Sequence, residues 1–262
     1  MAVVTGASRG IGRAVALELA GLGASVIVTA RTDVLRTDIA GTIGETAAAI
    51  TSAGGRCTVV KADLLNTEDL ARLVGEAHAL SGRVDILVNN AAFIGDAVFQ
   101  SSWEMEPVAW RSTMEVNVNA AWVLMRAFAP AMRDHGSGLI VNLTSAAGLP
   151  HDTSQPSPLP GQGGLGAAYP TSKAALTQMT AFIGNELRPC GIAVIALDPG
   201  FARSESAEIL ASRIGADPEW AQPVTVASKA VGWLATSATA LELAGRFVVA
   251  RQLVEDHQLL GR

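Results

Sequence analysis

Short apolar runs alternate with longer amphipathic segments along most of the chain. Runs rich in Val, Ile and Leu predict strands at residues 2–5, 25–30, 57–62, 84–89, 138–143, 192–197 and 246–250. Apolar residues at helical spacing predict helices near residues 11–22, 43–52, 67–80, 108–135 (in one piece or broken), 169–187 and 224–236. Strands that are apolar almost throughout are buried on both faces, as in parallel sheets. The alternation therefore predicts an α/β fold, with one doubly wound parallel sheet and helices on both faces.

Length and composition fit a single domain. The chain has 262 residues, of which 49% are hydrophobic and 16% charged, so it can bury a large core. No break in composition divides it, and we expect residues 1–262 to form one domain. Two segments interrupt the alternation of strands and helices. Residues 31–42 form a long polar connection, and residues 149–167 are rich in proline and glycine, which predicts a long inserted loop.

Charge and cysteine content exclude several classes of protein. The net charge of −5 comes from mixed acidic and basic residues, with no basic stripe of the kind that binds nucleic acid. No charge-free apolar run approaches the roughly 18 residues of a membrane span. Cys57, Cys190 and the histidines lack metal-ligand spacing, and a glycine-rich turn begins too close to Met1 for a signal peptide. We therefore expect a cytoplasmic protein with reduced thiols, no nucleic-acid partner, no membrane association and no metal.

The first predicted strand runs directly into a glycine-rich turn, and that turn runs into a helix. Glycine stands at Gly6, Gly10 and Gly12, in the pattern T-G-x-x-x-G-x-G. Glycine lets the backbone turn sharply and approach a pyrophosphate, whose charge is met by free N–H groups and the helix dipole. A lone glycine-rich loop is more often a simple turn. Between a strand and a helix, it predicts a dinucleotide-binding site.

Tyr169, the only tyrosine, precedes Lys173 by four residues at the start of a predicted helix. This spacing places both side chains on one helical face. The ordinary tyrosine pKa is about three units too high for proton transfer at neutral pH, and lowering it takes roughly 4 kcal/mol. A lysine ammonium on the next turn can supply that stabilisation. The pair predicts a tyrosine whose pKa is lowered for acid–base chemistry, although the pair alone is a weak signal.

Several motifs together resemble the short-chain dehydrogenase/reductase family. They occur in the family's order and cover the chain from the first strand to about Ser204: Thr5-Gly6-Ala7-Ser8-Arg9-Gly10-Ile11-Gly12, Asn89-Asn90-Ala91-Ala92, Ser145, Tyr169 to Lys173, and Pro199-Gly200. The connection at 31–42 ends in Gly41-Thr42-Ile43, which resembles the hydroxysteroid dehydrogenase-like branch of the family. The resemblance implies a Rossmann fold that binds NAD(P) and an oxidoreductase activity.

By this resemblance, a defined set of residues would bind the cofactor: Gly6, Ser8, Arg9, Gly10, Ile11, Gly12, Arg31, Asp63, Leu64, Asn90, Ala91, Tyr169, Lys173, Pro199 and Gly200. An acidic residue after the second strand binds the ribose hydroxyls of NAD, whereas a nearby arginine accommodates the 2′-phosphate of NADP. Here Ala30 stands where NAD-preferring relatives have aspartate, and Arg31 follows it. Arg9 adds a second cation. We predict NADP, with NAD as the alternative if these arginines are only solvated surface charges.

The same resemblance implies that Asn117, Ser145, Tyr169 and Lys173 are the catalytic residues. Ser145 would hydrogen-bond and polarise the substrate carbonyl. Tyr169 would donate a proton to the substrate oxygen in reduction or remove one in oxidation. Lys173 would lower the pKa of Tyr169 and bind the nicotinamide ribose, and Asn117 would anchor a water that links Lys173 to solvent.

Some features compete with this assignment or depart from the family pattern. Thr144 and Asn119 are neighbouring alternatives to Ser145 and Asn117, and the family register favours the latter two. Ser145 and Tyr169 lie 24 positions apart, which is more than is usual in the family. The inserted loop between them, at 149–167, is either a longer surface loop or a lid that shapes the substrate pocket. Relatives usually end in Asp-Gly-Gly after the last strand, whereas this chain continues from Ala250 into Arg-Gln-Leu-Val.

The resemblance implies an NADP-dependent oxidoreductase that interconverts a carbonyl and a secondary alcohol. Two other functions stay open: reduction of the double bond of an enoyl thioester, and catalytically idle binding of the cofactor. The expected ligand besides the cofactor is a small-molecule carbonyl or alcohol, and the expected assembly is a homodimer or homotetramer. The substrate itself is not predicted, because it depends on a few contacts worth about 1–3 kcal/mol each.

Overall fold

The computed structural model describes residues 1–31, 40–94, 96–150, 164–205 and 221–260. Within these residues the strands are β1 (Ala2–Thr5), β2 (Ser25–Ala30), β3 (Arg56–Lys61), β4 (Ile86–Asn89), β5 (Gly138–Leu143), β6 (Ile192–Asp198), β7 (Ala202–Arg203), β8 (Gln222–Pro223) and β9 (Phe247–Val249). The helices are α1 (Gly10–Gly21), α2 (Ile43–Ser52), α3 (Thr67–Ser81), α4 (Pro107–Met114), α5 (Ala120–His135), α6 (Ala168–Leu187), α7 (Val224–Thr236) and α8 (Ala250–Asp256).

Seven of the strands form one parallel sheet in the order β3-β2-β1-β4-β5-β6-β9. This confirms the predicted doubly wound α/β fold. Each predicted strand is present, and its ends agree to within a residue or two. The chain leaves β1 in one direction toward β2 and later returns to place β4 on the other side. Such a reversal opens a crevice at the carboxyl ends of the strands, where ligands bind in this class of fold.

Apolar side chains cover both faces of the sheet. Val4, Val28, Val88 and Val141 belong to one core, which includes residues of α1, α2, α7 and α8. The neighbouring positions Val3, Ile27, Leu87 and Ile140 belong to a second core, which includes residues of α3 and α5. Because successive side chains of a strand point to opposite faces, two buried faces require a nearly continuous apolar run. This explains why the strands could be predicted from short apolar runs.

The helical stretch predicted at 108–135, in one piece or broken, is broken by a π-helical turn at Glu115–Asn119 that separates α4 from α5. Two other features of the fold differ from the prediction. The short parallel pair β7–β8 was not predicted, since two residues carry no readable periodicity. Helix α8, which follows the last strand, was also not predicted. Most of the connections at 31–42 and 149–167, together with His151, lies outside the described residues.

Candidate active site

The glycine-rich turn after β1 needs glycine for two different reasons. Gly6 and Gly10 have φ angles of +64° and +54°, in the left-handed region that favours glycine. Gly12 has no such angle, but a Cβ on it would lie 2.4 Å from both the Gly6 carbonyl oxygen and Asn90 Nδ2. Gly6 and Gly12 are therefore packed too closely against the residues that follow β4 to be replaced by residues with side chains.

Hydrogen bonds join this turn to the loop after β4. Thr5 Oγ1 accepts from the backbone N–H groups of Asn90 and Ala91, each at 3.0 Å. Asn90 Nδ2 donates to the carbonyl oxygens of Thr5 and Gly6, at 2.8 and 3.2 Å. The two loops that border the crevice are thus held together by a threonine and an asparagine whose side chains pair with backbone.

A cleft opens beside this junction, over the carboxyl ends of β1, β2, β3 and β4. It brings together eight of the residues predicted to bind the cofactor: Gly6, Ser8, Arg9, Arg31, Asp63, Leu64, Asn90 and Ala91. Ala30 lines it as well, so no acidic side chain stands at the position that would mark an NAD site. Gly10, Ile11 and Gly12 begin α1 at the edge of the same crevice.

The end of the 31–42 connection folds back onto the glycine-rich turn. Arg9 donates through a terminal guanidinium nitrogen to the Gly41 carbonyl oxygen at 2.8 Å. Gly41 has a φ of +101°, and a Cβ there would meet the Ser8 carbonyl oxygen at 2.7 Å. Thr46 Oγ1 on α2 donates to the Ala7 carbonyl oxygen at 2.8 Å. The Gly41 carbonyl oxygen therefore positions the guanidinium group of Arg9, which lines the same cleft as Arg31.

A carboxylate that the sequence reasoning missed lies against the start of α1. The backbone N–H of Gly10 donates to Glu205 Oε2 at 3.0 Å, although the two residues are 195 positions apart. N–H groups at a helix start favour anions, and the resemblance assigns this turn to a pyrophosphate. Glu205 thus occupies one donor that a pyrophosphate would need. Its sequence signal was weak, because it only follows Ser204 at the end of the Pro-Gly motif.

On the other side of the crevice, α6 carries Tyr169 and Lys173 one turn apart. Lys173 is 3% exposed, its Nζ donates to the Leu143 carbonyl oxygen at 2.8 Å, and it lies 5.6 Å from the centre of the Tyr169 ring. The Ser145 hydroxyl lies near enough to the Tyr169 hydroxyl to lower its pKa. The structure therefore brings Ser145 at the end of β5 together with the tyrosine and lysine of α6.

Burial dominates the acid–base properties of this pair. It raises the pKa of Tyr169 to about 12, against a lowering by the Ser145 hydroxyl and a smaller raising by the Asp198 carboxylate. Burial also lowers the pKa of Lys173 to about 8, with Asp198 opposing that shift. In this structure the pKa of Tyr169 is therefore raised, not lowered as its spacing to Lys173 predicted, because burial penalises the phenolate by more than the Ser145 hydroxyl stabilises it. A spacing of four residues did not reveal how deeply the pair is buried.

The two alternatives left open by the sequence lie in different surroundings. Thr144 is buried, and its hydroxyl pairs with Thr177 Oγ1 and the Lys173 carbonyl oxygen, so it fastens β5 to α6. Ser145 is only partly buried and contacts Tyr169. Gly148 adds to this packing, since a Cβ on it would lie 2.5 Å from the Ala174 backbone nitrogen.

Asn117 lies in the π-helical turn and is buried, whereas Asn119 is exposed and donates to Glu115 within the same turn. Asn117 Oδ1 accepts from the Phe93 backbone N–H at 2.7 Å, and its Nδ2 donates to Ser172 Oγ at 2.9 Å. Asn117 therefore connects the loop after β4 to the helix that carries Tyr169. A π-helical turn at such a position is frequent at functional sites.

Pro199 and Gly200 follow β6, at the same edge of the sheet as Ser145 after β5. Gly200 has a φ of +65°, and its N–H donates to Asp198 Oδ1 at 3.0 Å. The predicted residues thus fall into two groups on either side of the crevice. One group surrounds the cleft at β1–β4, and the other lies at the ends of β5 and β6 and on α6.

The described part of the chain lacks two kinds of feature. No group of three or more His, Cys, Asp or Glu side chains there could hold a metal ion. No helix there is long and apolar enough to cross a membrane.

Comparison with known proteins identifies related sequences. The sequence profile of the family described as short chain dehydrogenase matches residues 1–215. The short-chain reductase protein NovJ of Streptomyces niveus is 33% identical over 237 residues, which cover 90% of this chain and 82% of NovJ. The 3-oxoacyl-(acyl-carrier-protein) reductase of Synechocystis sp. is 30% identical over 254 residues, covering 94% of this chain and 93% of the reductase.

Solved structures show the same likeness. A metagenomic short-chain oxidoreductase in complex with NADP is 33% identical, has a TM-score of 0.71 and covers 91% of either chain. A candidate NAD(P)-dependent gluconate 5-dehydrogenase from Beutenbergia cavernae, with NADP bound at low occupancy, is 32% identical with a TM-score of 0.80. That match covers 95% of this chain and 94% of the other.

Proposed function

Because the chain belongs to the short-chain dehydrogenase/reductase family, we propose that it is an NADP-dependent oxidoreductase that interconverts a carbonyl and a secondary alcohol. The nicotinamide of the cofactor supplies or accepts the hydride, and the protein binds, orients and handles the proton. The observation that carries the proposal is the contact of Tyr169 with Ser145, beside the buried Lys173. This arrangement lies at the carboxyl end of a parallel sheet, where such folds place their ligands.

The residues at the crevice fit a dinucleotide. Gly6 and Gly10 keep the turn after β1 free of side chains, which allows a pyrophosphate to approach the start of α1. Arg9 and Arg31 line the cleft, and their planar guanidinium groups suit the oxygens of a 2′-phosphate. The NADP bound in two related structures supports the choice of NADP. NAD is the alternative, and kinetic comparison of the two cofactors decides between them.

Ser145, Tyr169, Lys173 and Asn117 have distinct proposed tasks. Ser145 donates a hydrogen bond to the substrate oxygen, where negative charge develops during reduction. Tyr169 donates its proton to that oxygen, and a pKa of about 12 keeps the phenol in the protonated form that reduction requires. Lys173, with a pKa of about 8, can take up and release a proton at Nζ near neutral pH. We propose that Asn117 anchors the water that connects Lys173 with solvent.

The substrate class follows from relatives and from this chemistry. The relative from Synechocystis sp. is named for a 3-oxoacyl thioester, whose reacting group is a ketone. A ketone oxygen is the kind of acceptor that Ser145 and Tyr169 can share, since both are hydroxyl donors. We therefore propose a ketone and its secondary alcohol as the reacting pair, rather than the double bond of an enoyl thioester.

The test is reduction of a panel of ketones and enoyl thioesters with NADPH and with NADH, followed by oxidation of the matching alcohols. We expect ketones to be reduced with NADPH, and NADH used at least as well would refute the cofactor assignment. Tyr169→Phe should lose about 10²- to 10⁴-fold in turnover, the usual contribution of a general acid, while still binding NADPH. Turnover restricted to enoyl thioesters would replace the proposal with the first alternative. NADPH binding without turnover of any substrate would favour the idle cofactor-binding protein.

A further inference from the structure

The turn that follows β6 is held from both of its sides by one residue. Gln222 donates through its backbone N–H to the Phe201 carbonyl oxygen at 2.9 Å, and through Nε2 to the Pro199 carbonyl oxygen. Gly200, between these two acceptors, packs against the same side chain, since a Cβ on it would lie 2.4 Å from Gln222 Nε2. With the Asp198 carboxylate accepting from the Gly200 N–H, the backbone of this turn is fixed at three points.

Gln222 is itself held by a residue from the C-terminal helix. Arg251 Nε donates to Gln222 Oε1 at 3.0 Å. A guanidinium can only donate hydrogen bonds, so it selects the oxygen of the amide and leaves the NH₂ group to face Pro199. If the amide rotated, its oxygen would face the Pro199 carbonyl oxygen and its NH₂ would face the guanidinium. Both contacts would then be repulsive, so Arg251 sets the orientation that Gln222 needs.

Arg251 connects this amide to the surface of the protein. It is the second residue of α8, which follows β9 directly. The Arg251 side chain is 54% exposed, and Gln222 is 7% exposed. Arg251 and Gln222 therefore form a chain of contacts that runs from the protein surface, through the buried Gln222 amide, to the Pro199–Gly200 turn.

We propose that Gln222 and Arg251 are positioning residues that hold the Pro199–Gly200 turn in the shape required to bind the nicotinamide half of the cofactor. The inference rests on the proposed function: Pro199 and Gly200 follow β6, beside the end of β5 that carries Ser145, so a nicotinamide that reacts next to Ser145 and Tyr169 would lie against this turn. Neither residue touches the reacting atoms. Gln222 acts through the two carbonyl groups that flank Gly200, and Arg251 acts through the orientation of the Gln222 amide.

The proposal predicts a loss of affinity confined to one half of the cofactor. Two ligands separate the halves: NADPH, and 2′-phospho-ADP-ribose, which lacks the nicotinamide. Gln222→Leu keeps the size of the side chain but removes both amide contacts. It should weaken NADPH binding about tenfold, the equivalent of one good hydrogen bond, and leave 2′-phospho-ADP-ribose binding unchanged.

Variants of Arg251 test the outer contact without disturbing the core. Arg251→Ala should weaken NADPH about threefold, and Arg251→Lys, which keeps a donor, should restore most of the affinity. Gln252→Ala is the matched control, because Gln252 is exposed on the same helix and its amide donates to Asp256, one turn further along that helix. It should bind both ligands as the wild type does.

The experiment is titration of each purified variant with both ligands. Thermal unfolding of each variant checks that it is folded. Selective weakening of NADPH by Gln222→Leu and Arg251→Ala supports the proposal. Unchanged NADPH binding, or equal weakening of both ligands, overturns it and leaves the proposed function intact. If the wild type binds neither ligand, the proposed function fails and this inference fails with it.

Discussion

Lys173 is the group whose burial should leave the clearest trace in the stability of the protein. Burial lowers its pKa from 10.5 to about 8, so between these two values the unfolded chain binds a proton that the folded chain does not. Stability therefore rises with pH across this window. The shift corresponds to about 3 kcal/mol, most of which should be gained between about pH 7 and about pH 10. Lys173→Met has a side chain of similar length that cannot ionise, so this gain should be absent from the variant.

The assay is urea unfolding of the wild type and Lys173→Met at several pH values. The difference in unfolding free energy should move in favour of the wild type by about 2 to 3 kcal/mol from about pH 7 to about pH 10. Groups that titrate in both proteins cancel in this difference, Tyr169 included. Tyr169→Phe is the control, because it retains Lys173 and should keep the wild-type dependence below about pH 10. A difference that stays constant over this range would refute the account of Lys173 as a desolvated ammonium.

Further predictions concern the cofactor cleft and the helix beside it. Glu205→Gln removes the charge that faces the Gly10 N–H and should bind NADPH about threefold tighter by fluorescence titration; equal or weaker binding would contradict competition with the pyrophosphate. Arg31→Ala should raise the NADPH dissociation constant about tenfold and barely change that of NADH, and a parallel loss for both cofactors would argue against a 2′-phosphate contact. Thr42→Ala removes the capping box with Glu45 at the start of α2 and should cost about 1 kcal/mol in urea unfolding. Thr51→Ala at the exposed end of the same helix should cost much less.

The fold followed from the sequence because its signals are local. A strand buried on both faces must be apolar at nearly every position, and a helix on the surface of a sheet must repeat its apolar residues with the helical period. These rules predicted the strands of the main sheet and the helices on its two faces other than α8. They could not predict the two-residue strands β7 and β8, which exist only because Gln222 pairs with the turn after β6.

The candidate site followed from the sequence only in part. The glycine spacing identified the sharp turn after β1, and the Tyr169–Lys173 spacing placed both side chains on one face of α6. Both features depend only on residues that are close in sequence. The structure then placed Ser145, rather than Thr144, beside Tyr169, and placed Asn117, rather than Asn119, inside the fold. A register difference of one or two residues decides which side chain faces the crevice, and the family resemblance already favoured the same register.

Short stretches of sequence determined the order of strands and helices and the chemistry of each motif. Periodicity, glycine geometry and i,i+4 neighbours all act over a few consecutive residues, so they can be read from the sequence alone. Three features arose only when distant segments met: Glu205 against Gly10, Arg251 against Gln222, and the raised pKa of Tyr169. The first two depend on the paths of loops, whose sequences have no periodic pattern of apolar residues from which a path could be predicted. The third depends on how much water the assembled fold excludes, and no residue pattern along the chain measures that.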